Sequence, residues 1–331
     1  MQPVDAIDAP RHEKVSLIMT IFNERTSIQR FFEDLNNFTR LPDELVIVDG
    51  GSNDGTVELV TDRINNCAVP VKFIQDKCNI ARGRNIAIRN ATFELIAITD
   101  MGCVIANDWL ERIVAPFEAD PAVEIVGGYY GHLCETPIQY CFSHLHVKTH
   151  LTQRNFLPSS RSLALRRHVW TAVGGYPEHM TVGEDTYFDL RIREKGFKEV
   201  VAPEAKVYWE AANSYRGLYR KYFRYARSAG MAFQQPHHYV FTVVNYVLFL
   251  IGLGLAFGVS PVWWPAALAH FAVYSYLRIF RRKAVWTHLS LGNLLRYYGI
   301  VFTQDMAGIF GFLAGLLQYL AGKSEAPTTP V

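Results

Sequence analysis

The sequence carries little charge, and neither sign dominates. Its 331 residues include 33 Lys and Arg against 31 Asp and Glu, which leaves a formal net charge of only +2. Nonspecific nucleic-acid binding depends on a strongly basic surface that neutralises phosphates. The composition therefore disfavours a nucleic-acid binder. With 50% hydrophobic and 19% charged residues, the chain also has ample apolar surface to bury, which excludes intrinsic disorder.

Cysteine is scarce and unpatterned. The five cysteines make an odd number, and no two of them have the CxxC spacing of a redox or zinc motif. The first 14 residues are polar and lack the apolar run of a secretory signal. We therefore expect reduced, buried thiols in a cytosolic domain.

The common phosphate-binding loops are missing. The sequence contains neither GxGxxG nor GxxxxGK[ST], so it gives no support for Rossmann dinucleotide binding or for a P-loop.

The N-terminal two thirds alternate between short apolar runs and amphipathic segments. The apolar runs predict strands, and the segments between them predict helices with short connections. This alternation is typical of an α/β domain with a mostly parallel sheet and right-handed crossovers. The predicted strands cover residues 15–20, 44–49, 71–75, 94–100 and 123–127.

Polar side chains follow three of these strands. They are residues 22–24, residues 49–54 and Asp100. Ligands of open α/β sheets bind beyond the carboxyl ends of the strands, so these residues predict a binding site at one edge of the sheet. Arg82 and Arg84 open the third predicted helix, where a positive charge suits a phosphate.

Several segments resemble, in order and spacing, the signature sequences of family 2 glycosyltransferases, which have a GT-A fold. The resemblance spans roughly residues 15–227. It implies a Rossmann-like domain that transfers a sugar from a nucleotide-diphosphate donor. The matching segments are 16–24 (SLIMTIFNE), 48–56 (VDGGSNDGT), 83–87 (GRNIA), 98–103 (ITDMGC), 158–164 (PSSRSLA), 173–178 (VGGYPE) and 183–189 (GEDTYFD).

The resemblance implies roles on the donor side of the site. Phe22 would stack on the nucleotide base, and Glu24 and Asp49 would hold the base and the ribose. Arg84 would face the nucleotide or its diphosphate, and Arg82 would also bind substrate.

Other roles are implied for the metal and the acceptor. Asp100 would be the metal-site carboxylate of the family's DxD element, and Arg161 would bind substrate. Asp185 would be the general base that takes the proton of an acceptor hydroxyl. Glu184 beside it would hydrogen-bond nearby substrate or protein groups. A single base on the acceptor side predicts one in-line displacement with inversion.

Two departures from the family pattern bear on the metal. The DxD element reads Asp100-Met101-Gly102, so only one carboxylate is present, and Gly50 stands where many relatives carry a second Asp. One carboxylate, together with the donor's phosphates, suffices for Mg²⁺ or Mn²⁺. A metal-free variant, in which arginines neutralise the diphosphate, stays open.

The C-terminal third predicts a membrane region. A basic segment with an aromatic face suits the headgroup layer of an anionic leaflet, and uncharged apolar stretches follow it. The predicted organisation is a tail (1–14), a GT-A domain (15–212), an interfacial helix (213–238), membrane helices within 239–322 (about 239–258, 262–280 and 299–320) and a disordered tail (323–331).

Together these features predict a multi-pass enzyme of the inner membrane whose catalytic domain faces the cytoplasm. It would be an inverting glycosyltransferase that uses a UDP or GDP sugar and a lipid or lipid-linked glycan acceptor in cell-surface polysaccharide or glycolipid synthesis. Two alternatives remain: transfer to polyprenyl phosphate, and a catalytically degenerate membrane scaffold.

Overall fold

A computed structural model describes residues 12–146, 158–180, 183–231, 233 and 236–322. Its strands are β1 (Val15–Ile21), β2 (Glu44–Asp49), β3 (Val71–Gln75), β4 (Leu95–Ile98), β5 (Cys103–Ile105), β6 (Ile125–Leu133), β7 (Leu163–Arg166) and β8 (Glu199–Glu210). Its helices are α1 (Arg25–Leu35), α2 (Thr56–Ile64), α3 (Ile80–Asn90), α4 (Trp109–Ala119), α5 (Pro137–His146), α6 (Arg167–Ala172), α7 (Glu184–Lys195), α8 (Tyr215–Met231), α9 (Pro236–Gly258), α10 (Trp264–Ser275), α11 (Lys283–Thr287) and α12 (Leu291–Leu320).

The described residues form two compact units. The first lies within residues 1–131 and 148–210 and holds the sheet. The second lies within residues 132–147 and 211–331 and consists mainly of helices. The chain therefore leaves the first unit to build α5 and returns before β7.

The sheet of the first unit is mixed. Its strand order is β3-β2-β1-β4-β7-β6-β8-β5. β1 to β4 pair in parallel, whereas β7 runs antiparallel to both β4 and β6, and β5 antiparallel to β8. The predicted α/β class is confirmed, but the parallel part covers only half of the sheet.

Both faces of the parallel half are buried, as its apolar strands require. In β1, Leu17 and Met19 pack into the core beneath α1 and α4, while Ile18 packs into the core beneath α3 and α7. This alternation follows from the two-residue period of a strand. The five predicted strands correspond to β1, β2, β3, β4 and β6.

Glycines bring α8 and α12 of the second unit into backbone contact. A Cβ added at Gly315 would lie 2.0 Å from the carbonyl oxygen of Arg227, and one at Gly311 would lie 2.5 Å from that of Phe223. Small residues at such spacing let two helices approach closely.

Two helices of the described chain are long and apolar enough to cross a membrane, namely α9 with 23 residues and α12 with 30. Residues 262–280, predicted as a further span, form a short 3-10 turn, the 12-residue α10 and a π turn over Tyr276–Phe280. Alone, α10 is shorter than the about 20 residues that a bilayer core requires.

Some predictions fall on residues that the structure does not describe. Residues 1–11 of the predicted N-terminal tail and all of the predicted C-terminal tail (323–331) lie outside the described residues.

Candidate active site

A cleft of about 320 Å³ opens in the first unit at the carboxyl ends of β1 and β2. This is the edge of the sheet at which open α/β domains bind ligands. Of the residues predicted for the site, the cleft is lined by Phe22, Glu24, Asp100 and Arg161.

Phe22 presents its ring to this space. Its side chain is 60% exposed, although it directly follows β1, in which every residue except Thr20 is buried. An aromatic ring exposed at a cleft wall offers a stacking surface for a planar base. Glu24 shares the cleft wall, and its carboxylate lies beside Gly102, where an added Cβ would come within 3.3 Å of Oε1.

Asp49 shapes the loop after β2. Its side chain is buried and accepts hydrogen bonds from the backbone N–H groups of Gly51 (2.9 Å) and Ser52 (3.0 Å). Gly51 has a φ of +99°, a conformation that glycine adopts without strain. Gly50 lines the cleft, and a Cβ there would lie 3.0 Å from the carbonyl oxygen of Cys78. A second aspartate at position 50 would therefore require a backbone shift.

Arg84 lies behind the cleft at the centre of a buried ionic network. It donates to Asp100 Oδ1 and to Glu184 Oε1, each at 2.8 Å. Burial alone would lower the pKa of Arg84, but the charges of Asp100 and Glu184 raise it above its ordinary value. Burial raises the pKa of Glu184, and the Arg84 charge opposes that rise. Arg84 therefore ties the end of β4 to the beginning of α7.

Arg82 occupies a different environment from Arg84. Its side chain is half exposed and pairs with Asp76 at 3.1 Å, and its backbone N–H bonds to the Asn79 side chain that caps α3. Arg82 does not line the cleft.

A second arginine reaches Asp100 from the cleft side. Arg161 Nε lies 3.7 Å from Asp100 Oδ2, and its guanidinium is 5.1 Å from the ring centroid of Trp209. Trp209 and Glu210, at the end of β8, also line the cleft and were not predicted from the sequence. The mixed polar and apolar pattern of β8 gave no signal for them.

Asp185 lies in the first turn of α7. Its Oδ1 accepts the backbone N–H of Thr186 at 2.8 Å, and its Oδ2 is 3.5 Å from the Ser159 hydroxyl. It is half-buried. Since it directly follows Glu184, the Arg84 network fixes the helix end that carries it.

Asp189, one turn further along α7, was not predicted from the sequence. It is buried, and neither of its carboxylate oxygens has a hydrogen-bond partner among the residues that the structure describes. Burial, followed by the negative charges of Asp185 and Glu199, raises its pKa well above 3.8. A neutral Asp189 would spare Asp185 a second negative charge on the same helix face.

Two thiols line the cleft. Burial raises the pKa of Cys103 to about 12 and also raises that of Cys78, so both stay neutral at physiological pH. Neither is therefore an activated nucleophile. All five cysteines are free; Cys103 and Cys141 are buried as predicted, whereas Cys67, Cys78 and Cys134 are only half-buried.

The acidic side chains set limits on a metal site. Within the described residues, no group of three or more His, Cys, Asp or Glu side chains could hold a metal ion. Asp100 and Glu24 both line the cleft. Their oxygens fit a hard cation that takes its remaining ligands from water and phosphate.

Comparison with protein families identifies the class of this protein. The model "Glycosyl transferase family 2" matches residues 16–168, and the model "Glycosyl transferase family group 2" matches residues 95–298, more than half of the chain. The fold and the cleft belong to a sugar-transferring enzyme of the GT-A type. The chain is a family 2 glycosyltransferase, as its signature segments predicted.

Curated relatives are glycosyltransferases and polysaccharide-synthesis proteins. Glycosyltransferase AglE of Haloferax volcanii is 26% identical over 63% of this chain and 71% of its own. The O-antigen chain rhamnosyltransferase RfbN of Salmonella typhimurium is 25% identical over 63% and 70%. The succinoglycan biosynthesis protein ExoA of Rhizobium meliloti is 24% identical over 91% and 89%.

A solved structure supports the fold. The mannosyltransferase PcManGT from Pyrobaculum calidifontis, in complex with GDP-Man and Mn²⁺, aligns with a TM-score of 0.55 over 98% of this chain and 92% of its own. The two sequences are 19% identical, so this likeness shows the GT-A fold alone.

Proposed function

We propose that this glycosyltransferase is a membrane-anchored inverting enzyme that uses a UDP or GDP sugar on the cytoplasmic face. Its acceptor is a hydroxyl group of a lipid or lipid-linked glycan in cell-surface polysaccharide or glycolipid synthesis. The observation that carries this proposal is the Arg84 network, which couples Asp100 at the cleft to the helix end bearing Asp185.

The cleft suits a nucleotide-diphosphate sugar. Phe22 offers a face for the base, and Glu24 offers acceptor oxygens to base or ribose. Asp49 acts indirectly, because its carboxylate holds the loop that includes Gly50 at the cleft wall. Arg161, which also lines the cleft, brings a positive charge beside Asp100 for the diphosphate.

The reaction requires a base on the acceptor side. The acceptor oxygen attacks the anomeric carbon as the bond to the diphosphate oxygen breaks, and Asp185 takes the hydroxyl proton. The nucleoside diphosphate leaves with the bonding electrons, so one displacement inverts the anomeric carbon. Within the described residues, the partner of Asp185 Oδ2 is the Ser159 hydroxyl at 3.5 Å, a long contact that leaves this oxygen able to accept a proton.

Asp100, with Glu24 beside the cleft, would hold Mg²⁺ or Mn²⁺. The ion would neutralise the leaving diphosphate. PcManGT was solved with GDP-Man and Mn²⁺, which supports the proposal. Since few carboxylates line the cleft, we expect weak metal affinity that rises with bound nucleotide.

Membrane anchoring is supported by the length and apolar character of α9 and α12. The names of RfbN and ExoA link related chains to O-antigen and succinoglycan synthesis, which supports a cell-surface glycan as the product.

The test uses the full chain in nanodiscs. Nucleotide sugars are screened by thermal shift with and without Mn²⁺, and the product formed from the best donor is examined by NMR. We expect a product of inverted anomeric configuration and loss of transfer in EDTA. A retained configuration would refute the inverting mechanism, and full activity in EDTA would refute the metal role.

A further inference from the structure

The second unit contains a cavity of about 420 Å³ among α9, α10 and α12. Its walls are mostly aromatic and aliphatic and include Phe249, Leu250, Phe271 and Phe302. A cavity of this size falls within the range of about 300–1,000 Å³ that is typical of ligand sites.

Three polar residues of the lining, Tyr246, Tyr274 and Arg278, bond to the carboxylate of Asp305, which does not itself line the cavity. Asp305 Oδ2 accepts the hydroxyls of Tyr246 (3.1 Å) and Tyr274 (2.7 Å), and its Oδ1 pairs with Arg278 at 2.5 Å. Asp305 is buried and fully engaged by these three groups. Ionisable groups on apolar helices are costly, and those that persist are commonly functional.

Ser275 directly follows Tyr274 in the chain. It is 4% exposed and lines the cavity, yet its hydroxyl has no hydrogen-bond partner among the described residues. A helical serine ordinarily bonds back to the carbonyl four residues earlier. Arg278 also lines the cavity, and its buried Nε is a second donor for which the described part of the chain supplies no partner. Both donors suit an oxygen acceptor supplied from outside the chain.

The backbone widens at the same point. The π turn Tyr276–Phe280 begins directly after Ser275 and contains Arg278. Such turns are rare and occur frequently at functional sites. Arg281, Arg282 and Lys283 follow in the sequence, so the turn leads directly into a basic segment.

We propose that this cavity binds the lipid part of a phosphate-linked acceptor, with the chain along the aromatic wall and a phosphate oxygen at Ser275 and Arg278. The positive charge suits an anionic head group, and the remaining walls suit an unbranched or isoprenoid chain. This inference rests on the proposed function, because it names where the lipid acceptor is held.

The probe is a diazirine-bearing farnesyl phosphate, added to the full-length protein in phosphatidylcholine nanodiscs and photolysed. Leu250→Trp fills the cavity, and Leu248→Trp is its matched control, because Leu248 lies on the same helix, is also exposed and does not line the cavity. Ser275→Ala removes the unpartnered donor.

We expect Leu250→Trp and Ser275→Ala to reduce labelling of α9 and α10 by about 3–10-fold, the scale of one lost hydrogen bond or of excluded volume. Leu248→Trp should label like the wild type, and all variants should bind nucleotide normally. Excess unlabelled farnesyl phosphate should compete, whereas phosphatidylglycerol should not. Equal labelling of the two tryptophan variants, unchanged labelling of Ser275→Ala, or competition by phosphatidylglycerol would overturn the inference.

The same variants distinguish a failure of the proposed lipid site from a failure of the proposed function. If labelling behaves as expected but the wild type transfers no sugar to a polyprenyl-linked acceptor, the proposed acceptor is wrong and the lipid site stands. If transfer occurs and Leu250→Trp leaves the KM for that acceptor unchanged, the acceptor assignment stands and the site is wrong.

Discussion

At the scale of single residues, a substitution of Asp185, the proposed general base, distinguishes an effect on the chemical step from an effect on donor binding. Asp185→Asn keeps the acceptor for the Thr186 N–H but cannot take a proton. We expect turnover on a hydroxyl acceptor to fall by about 10²–10⁴-fold, the usual contribution of a general base. Nucleotide affinity, measured by calorimetry, should not change.

A matched control for Asp185 lies on the same helix. Glu194 is exposed and pairs with the nearby Arg191 at 3.7 Å, so Glu194→Gln should leave turnover unchanged. If Asp185→Asn lost donor binding in proportion to rate, Asp185 would belong to the donor site. A much smaller loss would indicate a phosphate acceptor, which has no proton to give up.

The buried carboxyl of Asp189 should make the stability of the folded protein depend on pH. Its pKa is raised well above 3.8 in the folded protein, first by burial. Well below pH 4 the carboxyl is protonated in both the folded and the unfolded state and has no effect on stability. As the pH rises, the unfolded chain ionises first, so the folded state loses stability until the pH passes the folded pKa. Asp189→Asn should therefore gain stability relative to the wild type as the pH rises.

Thermal unfolding across pH 4 to 8 measures this difference. Asp189→Ala is the control, because it also removes the carboxyl but leaves a cavity. Its curve should have the same pH slope as that of Asp189→Asn at lower overall stability. If the curves of both variants ran parallel to the wild type, the carboxyl would not be held neutral by the fold.

At the scale of elements, the contact between α8 and α12 depends on glycine. Gly315→Ala would place a methyl group 2.0 Å from the backbone oxygen of Arg227, so the helices must separate. We expect a loss of about 1–3 kcal/mol, the usual cost of overpacking, measured by thermal unfolding in detergent. Gly254→Ala on α9 meets nothing within 4 Å and should be neutral or slightly stabilising.

The sequence predicted the parallel strands better than the antiparallel ones. β1, β2 and β4 are buried on both faces and therefore appear as continuous apolar runs. β5 has three residues and β8 is half exposed, so neither has a clear period. Trp209 and Glu210 were missed for the same reason.

The site was predicted only in part. The sequence shows which residue types follow each strand, but it does not show which side chains form ion pairs in the folded protein. Phe22, Glu24 and Asp100 follow apolar strands, and the cleft contains all three. That Arg84 would be buried between two carboxylates depends on contacts 16 and 100 residues apart, which no local pattern encodes. The unpartnered Asp189 is likewise a property of packing.

At the scale of the whole molecule, α5 determines how the chain can be divided. It lies between strands of the first unit in sequence, yet it packs in the second. The Cys141 thiol donates a hydrogen bond to the side chain of Asn293, and His144 Nδ1 lies 2.8 Å from the hydroxyl of Tyr297. Asn293 and Tyr297 both belong to α12. A chain ended at residue 212, where the sequence predicted a domain boundary, would keep α5 but lose these partners.

We therefore expect residues 1–212 alone to aggregate, because the face of α5 that carries Cys141, Phe142 and Leu145 is buried in the full protein and would be exposed. Size-exclusion chromatography and static light scattering measure this. The control is the same truncated chain with Cys141→Ser, Phe142→Gln and Leu145→Gln, which should remain monomeric because the exposed face is then polar. Aggregation of both truncated chains would show that another surface is responsible, and a monomeric unsubstituted chain would show that α5 does not need α12.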